Sequence, residues 1–474
     1  MRVLMVASEA TPFVKTGGLA DVMGALPQAL VRAGVEVALI LPAYRKLFTP
    51  SPSRQVHHDL PVQVGSTRYL VDICQVDEQG VKVYFVVCPP LYDRDGLYGD
   101  SSHDFDDNHI RFALLAKAAL ALVRIAFRPD VIHCHDWQAG LLPPYLRHLF
   151  AGDPTFKQIK LIFTIHNLGY QGLFPESALA EIDLDRSLFQ PDILEFFGKV
   201  NILKAGLFFS DAITTVSAGY AREILTPELG FGLDGFLRVR ADKIFGIVNG
   251  VDYREWSPET DVHIACHYSA ADLSGKVACK RALLEQLGLP TDDLATPVIG
   301  VTSRFVQQKG FDLVTQIADD LLRENVMLAV LGSGDPSTER FFGNLAETHP
   351  KKMGLYIGYD NALAHRIEAG ADMFLMPSRY EPCGLNQIYS LRYGTVPIVR
   401  AVGGLDDTVD DSIGFKFLEY SGSALLSTIR RALTLFTDKD RWHLMMREGM
   451  RRDFSWDRSA VAYADLYNTL SLGK

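Results

Sequence analysis

Short apolar runs rich in β-branched residues recur along the whole chain, each followed by a longer stretch of helical character. In the first half they are "RVLMVAS" (2–8), "VEVALILP" (35–42), "KVYFVVCP" (82–89), "VIHCH" (131–135), "KLIFTIHN" (160–167) and "AITTVS" (212–217). In the second half they are "VIGVTSR" (298–304), "MLAVLGSG" (327–334), "LYIGY" (355–359), "MFLMPS" (373–378) and "VPIVRAVG" (396–403). A continuous apolar run means a strand buried on both faces, and alternation with helices means parallel pairing. Each half therefore predicts a doubly wound α/β domain with a parallel sheet. At 474 residues the chain is too long for a single ordinary core. The break is expected near "IVNGVDYREWSPETD" (247–261), where Asn-Gly and Pro interrupt the pattern. The expected division is 1–246, 247–455 and a final helix over 456–474. Val461, Tyr463, Leu466 and Tyr467 would form the apolar face of that helix.

Composition narrows the class. Forty-seven basic against 57 acidic residues leave a net charge of −10, opposite to the footprint of a nucleic-acid or anionic-membrane binder. The start "MRVLMVASEATPF" lacks a secretory pattern, and the best membrane-span candidate, 113–127, is broken by Lys117 and Arg124. Six cysteines (74, 88, 134, 266, 279, 383) show neither CxxC nor zinc-type spacing. A cytoplasmic protein with free thiols is expected.

Open parallel sheets bind ligands beyond the carboxyl ends of their strands, and the polar candidates sit there. In "KTGGLADV", Gly17 and Gly18 would expose backbone N–H groups at a helix start, with Lys15 adding a full charge; an anion such as phosphate suits that place. The bland alternative is an ordinary strand–loop–helix turn. "SRFVQQKG" ends a strand with Arg304 and Lys309, two cations able to grip a diphosphate or simply be solvated. "SRYEPCGLNQ" brings Glu381 to an expected helix start, where the dipole would keep it ionised. Cys383 beside it has no basic neighbour and suits an inert buried thiol better than a nucleophile. "HCHDWQAG" and "TIHNLGYQG" end strands with His133, His135, Asp136, His166 and Asn167. Their alternate spacing is that of a strand, so no metal is expected, and Asp136 and His166 are candidates for contacting a polar ligand.

Taken in order, "KTGGLADV", "HCHDWQAG", "TIHNLGYQG", "LKAGLFFSDAITTVS", "VNGVDYREWSPETD", "SRFVQQKG", "SRYEPCGLNQ" and "YGTVPIVRAVGGLDDTV" resemble the glycogen/starch synthase family over nearly the whole chain. The resemblance implies a retaining glycosyltransferase of the B fold, two Rossmann-like domains facing across a deep cleft. It implies ADP-glucose as donor, an α-1,4-glucan such as glycogen as acceptor, and no cofactor. It places Lys15 and Gly18 at the donor phosphates, and Arg304 and Lys309 at the departing diphosphate. Asp136, His166 and Asn167 would line the glucosyl pocket. Glu381 would lie on the donor-sugar side with Cys383 and Gly384 around the hydroxyls, and Tyr359 would stack on the base.

Two positions depart from wider patterns. Many transferases of this fold carry an acid eight residues after the first; this chain has Tyr389 there, and the synthase family likewise lacks the acid. Val402 and Asn386 replace threonines common in bacterial members and resemble plant starch synthases. An oxidoreductase would need GxGxxG, which neither half contains. The remaining alternatives are a sugar-nucleotide epimerase of the same two-lobed fold and a catalytically inactive glucan-binding protein.

Overall fold

The computed structural model describes residues 1–45, 54–100 and 103–472; the last two residues of the expected 456–474 helix lie outside them. The chain divides into two compact units. One comprises residues 1–216, 221–250 and 456–474, the other residues 217–220 and 251–455.

The first unit holds strands β1 (Arg2–Val6), β2 (Glu36–Pro42), β3 (Arg54–Val64), β4 (Thr67–Glu78), β5 (Val81–Val87), β6 (Val131–His135) and β7 (Lys160–Ile165). It continues with β8 (Leu173–Pro175), β9 (Glu195–Phe196), β10 (Lys199–Asn201), β11 (Ala212–Thr215) and β12 (Ile244–Gly246). Nine of them form one sheet in the order β12-β11-β7-β6-β1-β2-β5-β4-β3, and β8-β10-β9 form a small second sheet. Seven strands of the large sheet run parallel; six are the apolar runs, and the seventh, the short half-exposed β12, carries no such run. The β3–β4 hairpin is not parallel: it pairs antiparallel to β5 at the sheet edge. Its sequence, "RQVHHDLPVQV" then "TRYLVDICQVDE", alternates exposed with sheltered positions. Edge strands with one wet face follow that pattern and carry no continuous apolar run.

The C-terminal helix Trp456–Leu472 closes this unit by packing on the helix Gly18–Arg32. Trp456, Ala460, Tyr463, Leu466 and Tyr467 join the same core as Leu19, Met23 and Leu30. Val461 does not: it is 55% exposed, because the buried stripe runs through Ala460 instead.

The second unit contains β13 (Val298–Phe305), β14 (Met327–Gly334), β15 (Met353–Ile357), β16 (Met373–Met376), β17 (Val396–Arg400) and β18 (Phe415–Phe417). They form an all-parallel sheet in the order β15-β14-β13-β16-β17-β18. This is the doubly wound order 3-2-1-4-5-6, whose direction reverses between the first and fourth strands. Separate apolar clusters cover its two faces. Trp256 lies stacked between Tyr389 and His365, ring centroids 3.9 and 3.8 Å away. Tyr389, standing where related folds carry an acid, is therefore used in packing. No helix among the described residues is long and apolar enough to cross a membrane.

Candidate active site

Topology decides where loops can meet. In the second unit the sheet reverses between β13 and β16, so the segments following those strands flank one crevice. Lys309 follows β13 and Glu381 follows β16; the Lys309 Nζ donates to Glu381 Oε2 at 2.6 Å. The Ser378 hydroxyl donates to the same oxygen at 3.1 Å. Glu381 is 5% exposed, so protein donors rather than bulk water meet its Oε2. The dipole argument for Glu381 does not hold: the next helix begins at Asn386, and the effect fades beyond the first turn. Ser378, which sequence reasoning placed only at a strand end, is the second donor instead.

Arg304 projects from the end of β13, exposed, and its guanidinium has no partner among the described residues. Tyr359 lies beyond β15, which ends at Ile357 rather than at Tyr359, and is 82% exposed. Cys383 is a buried free thiol. Gly384 has φ +70°, and a Cβ there would stand 2.6 Å from Gln387 Oε1. The glycines of "LGSGDP" are equally confined: a Cβ on Gly332 would meet the Ser303 carbonyl oxygen at 2.1 Å. Asp335 of that turn caps the helix Pro336–Thr348, accepting from the Ser337 and Thr338 amides.

The first unit repeats the arrangement. Its sheet reverses between β1 and β6, and the loops that emerge there are residues 8–18 and 135–137. Gly17 sits immediately before the helix Gly18–Arg32, with extended backbone and no side chain capping the helix start. A Cβ on Gly17 or Gly18 would meet no atom within 4 Å. Neither glycine is required by packing or by a left-handed φ, so the open space above them is available to a ligand. The loop is shaped from beneath by buried Glu9, which accepts from the Thr16 amide at 2.5 Å and from the Tyr98 hydroxyl at 3.0 Å. Glu9 and Tyr98 carry no motif of their own and were not legible as site residues. Lys15 pairs with Asp21 at 2.6 Å.

Asp136 holds φ 56°, ψ 179°, a conformation that costs a non-glycine residue roughly 1–3 kcal/mol. Its carboxylate accepts from the His166 amide at 2.8 Å. Loss of solvent pushes its pKa up to about 7, against the lowering effect of the His166 and Asn167 amides. His166 and His133 are pushed down to about 3 by burial, and His135 goes the same way. All three rings are neutral near pH 7. His133 Nδ1 meets the Tyr467 hydroxyl of the C-terminal helix at 2.9 Å, its Nε2 meets Thr164 Oγ1 at 2.6 Å, and its ring lies 4.1 Å from that of His135. His135 Nδ1 and His166 Nε2 are 3.0 Å apart. His135 Nε2 is buried without a partner. An orphaned buried N–H is rarer than an under-used acceptor, so the proton sits on His135 Nδ1. His166 then accepts at Nε2 and carries its own proton on Nδ1. Asn167 turns its own loop, its Oδ1 accepting from the Gly169 amide at 3.0 Å.

Comparison with known proteins shows the family. The family model described as "Starch synthase catalytic domain" matches residues 2–239, and "Glycosyl transferases group 1" matches residues 286–443. A glycogen synthase of Koribacter versatilis is 51% identical over 98% of both chains, and one of Anaeromyxobacter dehalogenans is 49% identical over 100% of both. The catalytic domain of Starch Synthase IV from Arabidopsis thaliana, solved bound to ADP and acarbose, superposes with a TM-score of 0.90 at 34% identity over 99% of each chain. Sucrose-phosphate synthase from Thermosynechococcus elongatus, at 18% identity and TM-score 0.63, shares the fold. Despite plant-like Val402 and Asn386, the bacterial relatives are more similar than the plant structure. A chain with open glycines at one switch point and a lysine–glutamate pair at the other, matched end to end by these enzymes, belongs to the glycogen/starch synthase family of glycosyltransferases.

Proposed function

We propose that the chain moves glucose from ADP-glucose to the non-reducing end of an α-1,4-glucan with retention of the α configuration. The observation that carries this reading is the half-buried Lys309 paired with buried Glu381 at the switch point of the second unit, with Arg304, unpartnered among the described residues, at the end of β13. In this reading the second unit binds the sugar nucleotide. Arg304 and Lys309 meet the negative charge that grows on the diphosphate as the bond from glucose C1 breaks. Tyr359 offers its exposed face to the base, and Cys383 and Gly384 border the sugar hydroxyls. Glu381 keeps Lys309 in place and stabilises positive charge on the reacting carbon.

In the first unit, the Gly17 and Gly18 backbone and Lys15 serve donor phosphates. His166 presents Nδ1–H to a sugar hydroxyl, Asn167 adjoins it, and Asp136 fixes the His166 backbone. The acceptor hydroxyl attacks C1 from the face the diphosphate leaves, and its proton goes to the departing phosphate oxygen. No side chain is assigned as a covalent nucleophile. The cations neutralise the leaving group, so the reading calls for no cofactor. It places the reaction in the cytoplasm, where the six free thiols would persist.

The test is direct. Protein incubated with glycogen and either ADP-glucose or UDP-glucose should release nucleotide, faster from ADP-glucose, and lengthen the polymer. Release without polymer growth, or no release from either donor, would overturn the assignment.

A further inference from the structure

The hairpin joining β9 to β10 turns through only Phe197 and Gly198, with φ of 50° and 77°. A two-residue turn with both central residues left-handed normally carries Asn-Gly. A phenylalanine there is strained, because a bulky side chain fits the left-handed region poorly. It is also 83% exposed, so the strain is not offset by burial of the ring. Phe231 repeats the pattern, with φ 48° and 37% exposure, followed by Gly232 at φ 81°.

The two turns lie side by side. A Cβ on Gly232 would come within 2.9 Å of Phe196 Cζ and 3.4 Å of Phe197 Cε2. On the other side, a Cβ on Gly169 would stand 3.5 Å from Phe231 Cε1. Tyr170, the next residue, is 62% exposed, and its amide donates to the Asn167 carbonyl at 3.2 Å. Phe231 thus lies beside Gly169, the neighbour of Tyr170, and its own neighbour Gly232 lies beside the Phe196–Phe197 turn, all within the first unit.

Folding explains only part of this row: Phe197 meets Phe196 edge-on at 4.7 Å, yet most of its ring and most of Tyr170 stay in water. A linear glucan would use the rest: each pyranose has an apolar face of C–H groups that buries well against an aromatic ring, while its rim of hydroxyls stays wet. We propose that Tyr170 and Phe197, with Phe231 between them, form a stacking track for an α-1,4-glucan chain continuing away from the reacting end. The inference rests on the reading that the acceptor is a glucan.

The experiment uses the full chain with Phe197→Asn, Phe197→Tyr and Tyr170→Ser. Asn is the residue this turn prefers, so F197N should fold at least as stably as the parent. Retardation in gels containing glycogen, and KM for glycogen, should weaken about tenfold in F197N and Y170S, and F197Y should restore both. KM for ADP-glucose should not move. Parent-like retardation and glycogen KM in both F197N and Y170S would overturn the track. The two readings fail separately. A parent that makes no polymer, yet is retarded through Phe197, loses the proposed reaction and keeps the track. A parent that makes polymer with Phe197-independent retardation does the reverse.

Discussion

The two sheet reversals of this chain use glycine for opposite reasons. At the first unit's reversal, Gly17 and Gly18 look onto empty space and adopt conformations open to any residue. Around the second unit's reversal, Gly332, Gly384 and Gly404 are wedged against protein; a Cβ on Gly404 would stand 2.1 Å from the Cys383 carbonyl oxygen. Glycine required by the fold and glycine required by a ligand look alike in sequence. Their surroundings separate them. The charges differ in the same way. The second unit sets a half-buried lysine directly against a buried glutamate, whereas the first has buried its histidines neutral and raised the pKa of Asp136.

The largest effect expected is at the ionic pair. Lys309→Ala should lower kcat by about 10²–10³, as loss of a preorganised electrostatic donor does. It should also destabilise the protein by about 3–5 kcal/mol, because Glu381 is left buried with only Ser378 as donor. Arg304→Ala should match the rate loss while leaving the melting temperature unchanged, since the Arg304 guanidinium has no partner among the described residues. Nucleotide release and thermal unfolding check both. An R304A that unfolds early would erase the contrast.

Glycine substitutions come next. Gly404→Ala and Gly332→Ala should each cost several kcal/mol, the range reached when overpacking forces a backbone to move. Gly18→Ala should leave the fold intact or stabilise it by up to about 1 kcal/mol, helix propensity favouring alanine. Its damage should appear as a higher KM for the nucleotide sugar. Equal melting temperatures for G18A and G404A would contradict the distinction between open and wedged glycines.

Asp136 supplies a pH test. Its folded pKa of about 7 exceeds the ordinary carboxylate value, so the unfolded chain releases that proton first. Stability from this group is then highest below about pH 4 and falls as pH rises to about 7. Asp136→Asn keeps an oxygen for the His166 amide and cannot ionise. It should melt near the parent temperature at pH 4 and above it at pH 8. A constant offset across that range would mean that Asp136 titrates normally.

The smallest effect expected concerns His135. In His135→Asn the amide nitrogen stands near the Nδ1 position and can still donate to His166, so most activity should survive. His135→Leu removes the donor and should lower kcat about tenfold. Equal losses in the two variants would remove the tautomer argument.

What the sequence determined alone is the alternation of apolar runs and helices, hence two parallel α/β sheets, and the order of motifs that marks the family. Those properties are local: a run buried on both faces must be apolar wherever it is placed. The β3–β4 hairpin escaped because its alternating edge pattern is diluted by His57, His58, Asp59 and Pro61. Tertiary structure alone decided which polar residues act together. Ser378 and Lys309 are 69 residues apart, yet both donate to one oxygen of Glu381. Tyr467 reaches His133 across 334 positions. Whether a glycine is open or wedged, and whether a carboxylate is paired or stripped of water, depends on atoms brought in from distant strands. No spacing along the chain encodes those distances; they exist only once the sheets have formed.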